Sequence, residues 1–134
     1  IFTKIFGIKI KIMKNIWICL EIKISVSQKL KILIYPGLHA RPGSEFVKYC
    51  QQFDSDVEIK VGDKTANGKS LLSLFKIEPK QFSIIDLHIT GSDEEELMEN
   101  LINWKTEAYS SKDDFDNENI EEEELQVFEI VYDE

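Results

Sequence analysis

The chain is 134 residues long, 43% hydrophobic and 31% charged, a composition that fits one globular domain with an appendage. Its net charge of −9 is unevenly spread: residues 1–28 sum to +4, residues 29–105 to −2 and residues 106–134 to −11. That distribution lacks the basic face that nucleic-acid binding needs, no stretch reaches the ~20 apolar residues of a membrane-spanning helix, and two cysteines make no disulfide framework.

Residues 1–28 are rich in isoleucine and lysine. "IKIKI" (8–12) and "LEIKIS" (20–25) have the period-two pattern of strands. This N-terminal extension either forms strands or lies outside the true start. Lys4, Lys9, Lys11 and Lys14 interrupt its apolar runs, which argues against a signal peptide. "LKILI" (30–34) reads as a strand that stops at the turn Pro36-Gly37. Pro42 then suits the first turn of a helix, where its missing N–H costs nothing. Phe46, Val47, Cys50 and Phe53 follow at helical spacing and make the apolar face. Cys50 reads as a small core residue, and a reducing, cytoplasmic setting is expected.

"VEIKV" (57–61) alternates strictly, Gly62-Asp63 is a two-residue hairpin link, and "KTA" (64–66) returns. "SLLSLF" (70–75) predicts a short helix with Ser70 as its cap. "FSIIDLHIT" (82–90) reads as a buried strand. "SDEEELMENLINW" (92–104) predicts a helix, with Ser92 and Glu95 as a capping box and Leu97, Met98, Leu101 and Ile102 as its apolar stripe. The order β-α-β-β-α-β-α implies a two-layer α+β sandwich, its helices on one face of an antiparallel or mixed sheet. Residues 106–124 are polar and acidic and read as a linker or disordered tail. "LQVFEIVY" (125–132) breaks that pattern as a strand or a docking segment. One further expectation is that the basic N-terminal and acidic C-terminal segments pair with each other.

His39 stands between the turn and the helix start. Unpaired N–H groups and the helix dipole place partial positive charge there, which favours a neutral, nucleophilic ring and an anion beside it. Arg41 adds a fixed cation with donors suited to phosphate oxygens. Two readings stand on these residues alone: a phosphoryl acceptor, and a plain helix-capping or surface histidine. His88 is predicted in a distant strand, no cluster has metal-ligand spacing, and no hydrolytic nucleophile motif is present.

"GLHARPGSEFV" (37–47), "GDKTANGKSLLSLF" (62–75) and "HITGSDEEELMENL" (88–101) together resemble the HPr family of histidine-containing phosphocarriers of the bacterial sugar phosphotransferase system. The resemblance covers residues 29–105, leaving residues 1–28 and the acidic tail 106–134 outside it. It implies an open-faced β-sandwich, four antiparallel strands covered by three helices. It also implies a relay without cofactor or metal, in which enzyme I passes a phosphoryl group to His39 at Nδ1 and His39 passes it to enzyme IIA. Arg41 would contact the phosphate. Ser70 matches the serine that a dedicated kinase and phosphorylase modify in some lineages, the other reading of Ser70 being the plain cap. Partner contacts are implied at Ala40, Arg41, Ser44, Lys48 and Gln51 on the first helix, and at Leu71, Leu72, Phe75 and Lys76 on the second. Leu71 and Leu72 are adjacent, so both cannot face the core. The implied protein is a cytoplasmic monomer and a carrier rather than an enzyme. The alternatives are a nitrogen-regulatory carrier, and a regulatory binding module of the same fold that carries no phosphate. Gly43 stands where the family usually has alanine, and Glu78 stands where it commonly has glycine.

Overall fold

Alternation in "VEIKV" and "SIIDLHIT" puts every second side chain on one sheet face, and helical spacing after Pro42 supplies an apolar stripe to cover that face. The computed structural model describes residues 8–13, 16–20 and 26–132, with side chains from residue 26. β1 (Ile8–Met13) and β2 (Ile16–Leu20) form an antiparallel pair of their own. The main antiparallel sheet contains β3 (Val26–Ile32), β4 (Asp56–Val61), β5 (Lys64–Asn67), β6 (Ile84–Thr90) and β9 (Phe128–Ile130) in the order β5-β4-β6-β3-β9. The turn Gly62–Asp63 closes the β4–β5 hairpin, Val61 pairing with Lys64.

α1 (Ala40–Gln51), α2 (Leu71–Lys76) and α3 (Glu94–Ile102) supply the covering layer. Phe46, Val47 and Cys50 of α1, Leu74 of α2, and Leu97, Met98 and Leu101 of α3 are buried with Leu30, Ile32, Ile59, Ile85, Leu87 and Ile89 of the sheet. Burial pushes the Cys50 thiol up to about 12, so it is a neutral core group. β6 is buried on one face only: Ile85, Leu87 and Ile89 point inward, while Ile84 is exposed and Asp86, His88 and Thr90 are half-buried. The helices cover one side of the sheet, which is why the strand read as buried is buried on that face alone. A groove of about 690 Å³ on that sheet is lined by Asp56, Glu58, Thr65, Asn67 and His88, and it does not include His39.

Three further sequence expectations change. The helix over 92–104 starts at Glu94 with Asp93 at the N-cap, in place of the Ser92–Glu95 box. The Asp93 carboxylate faces the β4 side of the turn, accepting from the Asp54 N–H at 2.9 Å, the Ser55 N–H at 3.0 Å and the Ser55 hydroxyl. The acidic segment is not a linker or disordered tail. It forms β7 (Lys105–Ala108), α4 (Lys112–Asp116) and β8 (Glu123–Gln126), with β7 and β8 paired, and then β9 on the sheet edge. Composition averages over residues, whereas Val127 and Phe128 are completely buried, and burying one such side chain stabilises by roughly 1.5–3 kcal/mol. Among the described residues the expected pairing of the two chain ends is not seen: β1 pairs with β2, and β9 with β3. Residues 21–25 of "LEIKIS" lie outside the described residues.

Candidate functional site

The loop that carries His39 leaves β3 through Leu33–Leu38 and is clamped on both sides. Gly37 has φ +127 and passes so close to the segment after α2 that a Cβ there would come within 2.2 Å of the Pro79 carbonyl oxygen. The Leu38 N–H donates to that oxygen at 2.9 Å, and the Gln81 N–H donates to the Pro36 carbonyl at 3.0 Å. The Gln81 side-chain amide donates to the carbonyls of Leu33 and Ser110, at 3.0 Å and 2.7 Å. On the other side the Tyr35 N–H donates to the Tyr109 carbonyl at 2.8 Å.

His39 is the N-cap of α1 by backbone, in extended conformation, and its side chain makes no capping hydrogen bond. The ring is half-buried and lies near-parallel to Phe75 of α2, with centroids 6.3 Å apart. The imidazole thus stands at the positive end of α1 without serving as its cap. Ala40 follows at φ 47, in the left-handed region that side chains with a Cβ rarely adopt. Gly43 packs where a Cβ would come within 2.7 Å of the Leu38 carbonyl oxygen and 3.2 Å of the Phe75 ring. That accounts for glycine at position 43: α1 presses directly on the His39 loop.

Arg41 is exposed and heavily engaged. Its guanidinium donates to the Glu45 carboxylate at 3.0 Å, the Glu122 carboxylate at 2.5 Å and the Glu107 backbone carbonyl. Glu45 in turn accepts from the Thr106 hydroxyl at 2.5 Å. The Arg41–Glu45 spacing of four is readable on a helix. Nothing in the run "EEEE" (121–124) singles out Glu122, because that contact depends on the path of the chain between α4 and β8.

The remaining expected contact residues lie on α1 and α2. Ala40, Lys48 and Gln51 are exposed and Ser44 is half-buried. On α2, Leu72 is 69% and Phe75 36% exposed, Lys76 is exposed, and Leu71 is half-buried against the core. Leu72 and Phe75 are thus large apolar side chains in solvent, and Phe75 lies beside the His39 ring. Ser70 caps α2, its hydroxyl accepting from the Ser73 N–H at 3.2 Å. His88 lies mid-strand opposite Ser27 and Glu58 and does not join the site. No helix among the described residues is long and apolar enough to cross a membrane.

A family model described as the PTS HPr component phosphorylation site matches residues 26–106, more than half of the chain. The phosphocarrier protein HPr of Haemophilus influenzae is 34% identical over 76 residues, covering 57% of this chain and 89% of the relative. That of Buchnera aphidicola subsp. Schizaphis graminum is 38% identical over 80 residues, covering 60% and 94%. The crystal structure of HPr from Bacillus anthracis str. Ames superposes with a TM-score of 0.56 at 31% identity, over 57% of this chain and 92% of that one. The clamped histidine loop, the one-sided helix layer and these similarities agree: the chain belongs to the HPr family, the phosphocarrier proteins of the phosphotransferase system.

Proposed function

We propose that this chain is a cytoplasmic carrier that takes a phosphoryl group from enzyme I onto His39 and hands it to enzyme IIA. The carrier unit is residues 29–105 together with Val26–Gln28, where β3 begins, and residues 106–132 form an acidic segment packed on it. The observation that carries the reading is the imidazole of His39 at the start of α1, free of any capping bond and two residues from the Arg41 guanidinium. In the transfer, the lone pair of His39 Nδ1 attacks phosphorus and a P–N bond forms. The P–N bond to the donor histidine breaks, and its electron pair stays on the donor ring, which carries a proton on its other nitrogen and so leaves as neutral imidazole. The N–H groups of the first turn and Arg41 are suited to the phosphoryl oxygens. Nothing else is needed chemically, because the labile P–N bond itself drives the onward transfer.

Ala40, Arg41, Ser44, Lys48 and Gln51 on α1, with Leu71, Leu72, Phe75 and Lys76 on α2, form the face offered to both partners. Exposed Leu72 and Phe75 give that face an apolar centre. Ser70 is proposed as a regulatory phosphorylation site at the edge of this face, where added negative charge would repel an acidic partner.

Incubation with phosphoenolpyruvate and enzyme I should give one acid-labile phosphoryl group per chain, lost in His39→Ala, as read by intact mass before and after mild acid. A wild-type chain that takes no such group would leave a binding module of HPr fold as the reading instead.

A further inference from the structure

Among the described residues, the two hydrogen bonds that Arg41 makes outside its own helix come from beyond the family-matched region: to the Glu107 carbonyl and the Glu122 carboxylate. The segment that brings them is tied across the histidine loop. Tyr109 bridges Tyr35, and the Phe115 ring of α4 packs against both tyrosines with centroids 5.6 Å and 5.4 Å apart. β8 is zipped to β7 from Lys105–Gln126 to Ala108–Glu123. Glu122 itself sits just outside that ladder, at the end of an exposed loop over 117–122. Its carboxylate is therefore able to leave Arg41 while the β7–β8 pair stays closed.

We propose that Glu122 is a built-in competitor for the phosphate seat on Arg41, so that the C-terminal extension gates phosphorylation of His39. The proposal rests on the reading of His39 as the acceptor. A carboxylate and a phosphoryl group compete for the same guanidinium donors. Phosphate on His39, two residues from Arg41, adds close to two negative charges near a guanidinium that already holds Glu45 and Glu122. The phosphorylated chain releases Glu122 from Arg41, and transfer of the group lets it return. Glu45, bound to Thr106 and carried on α1, remains in place through both states.

The test uses the full chain and phosphoramidate, a chemical donor with no docking surface. The His39 ring attacks phosphorus, the P–N bond of the donor breaks, and ammonia leaves with the bonding pair. Acid-labile phosphate on His39 is followed by 31P NMR and mass spectrometry at low salt. Glu122→Gln should label about two- to fivefold faster than wild type, the factor an exposed ion pair of this kind supports, and the gap should close as salt is added. Glu118→Gln, on the same loop but without a contact to Arg41, should label as wild type does. A label on Glu122→Gln with none on wild type would support the gate most strongly. Labelling of His39 at the same rate or more slowly in Glu122→Gln would overturn the gate and leave the carrier reading intact. No label on His39 in either chain would overturn both.

Discussion

At the residue scale the site depends on close approach of backbones. Gly37 and Gly43 are not interchangeable with alanine for different reasons. Gly37 has a positive φ and touches the Pro79 and Lys80 backbone, whereas Gly43 has helical backbone and touches the Leu38 carbonyl. Alanine at position 43 gains roughly 1 kcal/mol of helix propensity but must displace backbone, and overpacking costs about 1–3 kcal/mol. Gly43→Ala should therefore lower the denaturation midpoint and shift the NMR resonances of the His39 ring. A midpoint raised by the full propensity gain would show that the contact relaxes freely. The motif G-L-H-A-R-P that marks the family was readable in the sequence. The engagement of Arg41 by Glu122 was not, because residues 81 apart in the chain meet only through the fold.

Elements are positioned by side chains that reach across to their neighbours. The start of α3 is the clearest case. Asp93 is its N-cap by backbone, yet its carboxylate binds the Asp54–Ser55 turn before β4. The Ser55 hydroxyl, followed by the turn's N–H groups, holds that carboxyl below its ordinary value of 3.8. A lowered native value means that the unfolded chain binds the proton first. The stabilisation is complete above the ordinary value and is lost as pH falls below it toward the native one. Wild type should therefore be more stable than Asp93→Asn at pH 7, and the two should converge in acid below about pH 4, as followed by urea denaturation across pH. A constant difference down to the lowest pH would show that the carboxylate contributes no ionised-state interaction. In place of the capping box expected at Ser92–Glu95, the N-cap is Asp93, whose carboxylate has a tertiary partner that local spacing does not reveal. By contrast, the β4–β5 hairpin and the Ser70 cap are local arrangements, and both appear where the sequence placed them.

At the scale of the whole molecule the acidic C-terminal segment is part of the structure that surrounds the histidine loop. Phe128 is fully buried, edge-on to Phe46 of α1 and tilted against Trp104, with centroids 6.2 Å and 6.1 Å away. Phe128→Ala should cost about 3–5 kcal/mol in chemical denaturation, as for other buried phenylalanines. A loss under 1 kcal/mol would mean that β9 docks weakly on β3. The sequence by itself determined the periodicities that make α1, α2, α3 and the strands β3 to β6. It also determined the motif around His39 that marks the family, because all of these depend on near neighbours along the chain. It read the last 29 residues by their charge, and charge density says little when a few apolar residues find a core. Only the tertiary structure decided that β9 completes the sheet edge beside β3 and that the acidic segment crosses the histidine loop. It alone placed Glu122 on Arg41, since burial of Val127 and Phe128 and the Tyr35–Tyr109 bridge set the course of that segment. Those contacts join residues far apart in the chain, and their energies exist only once both partners are in place.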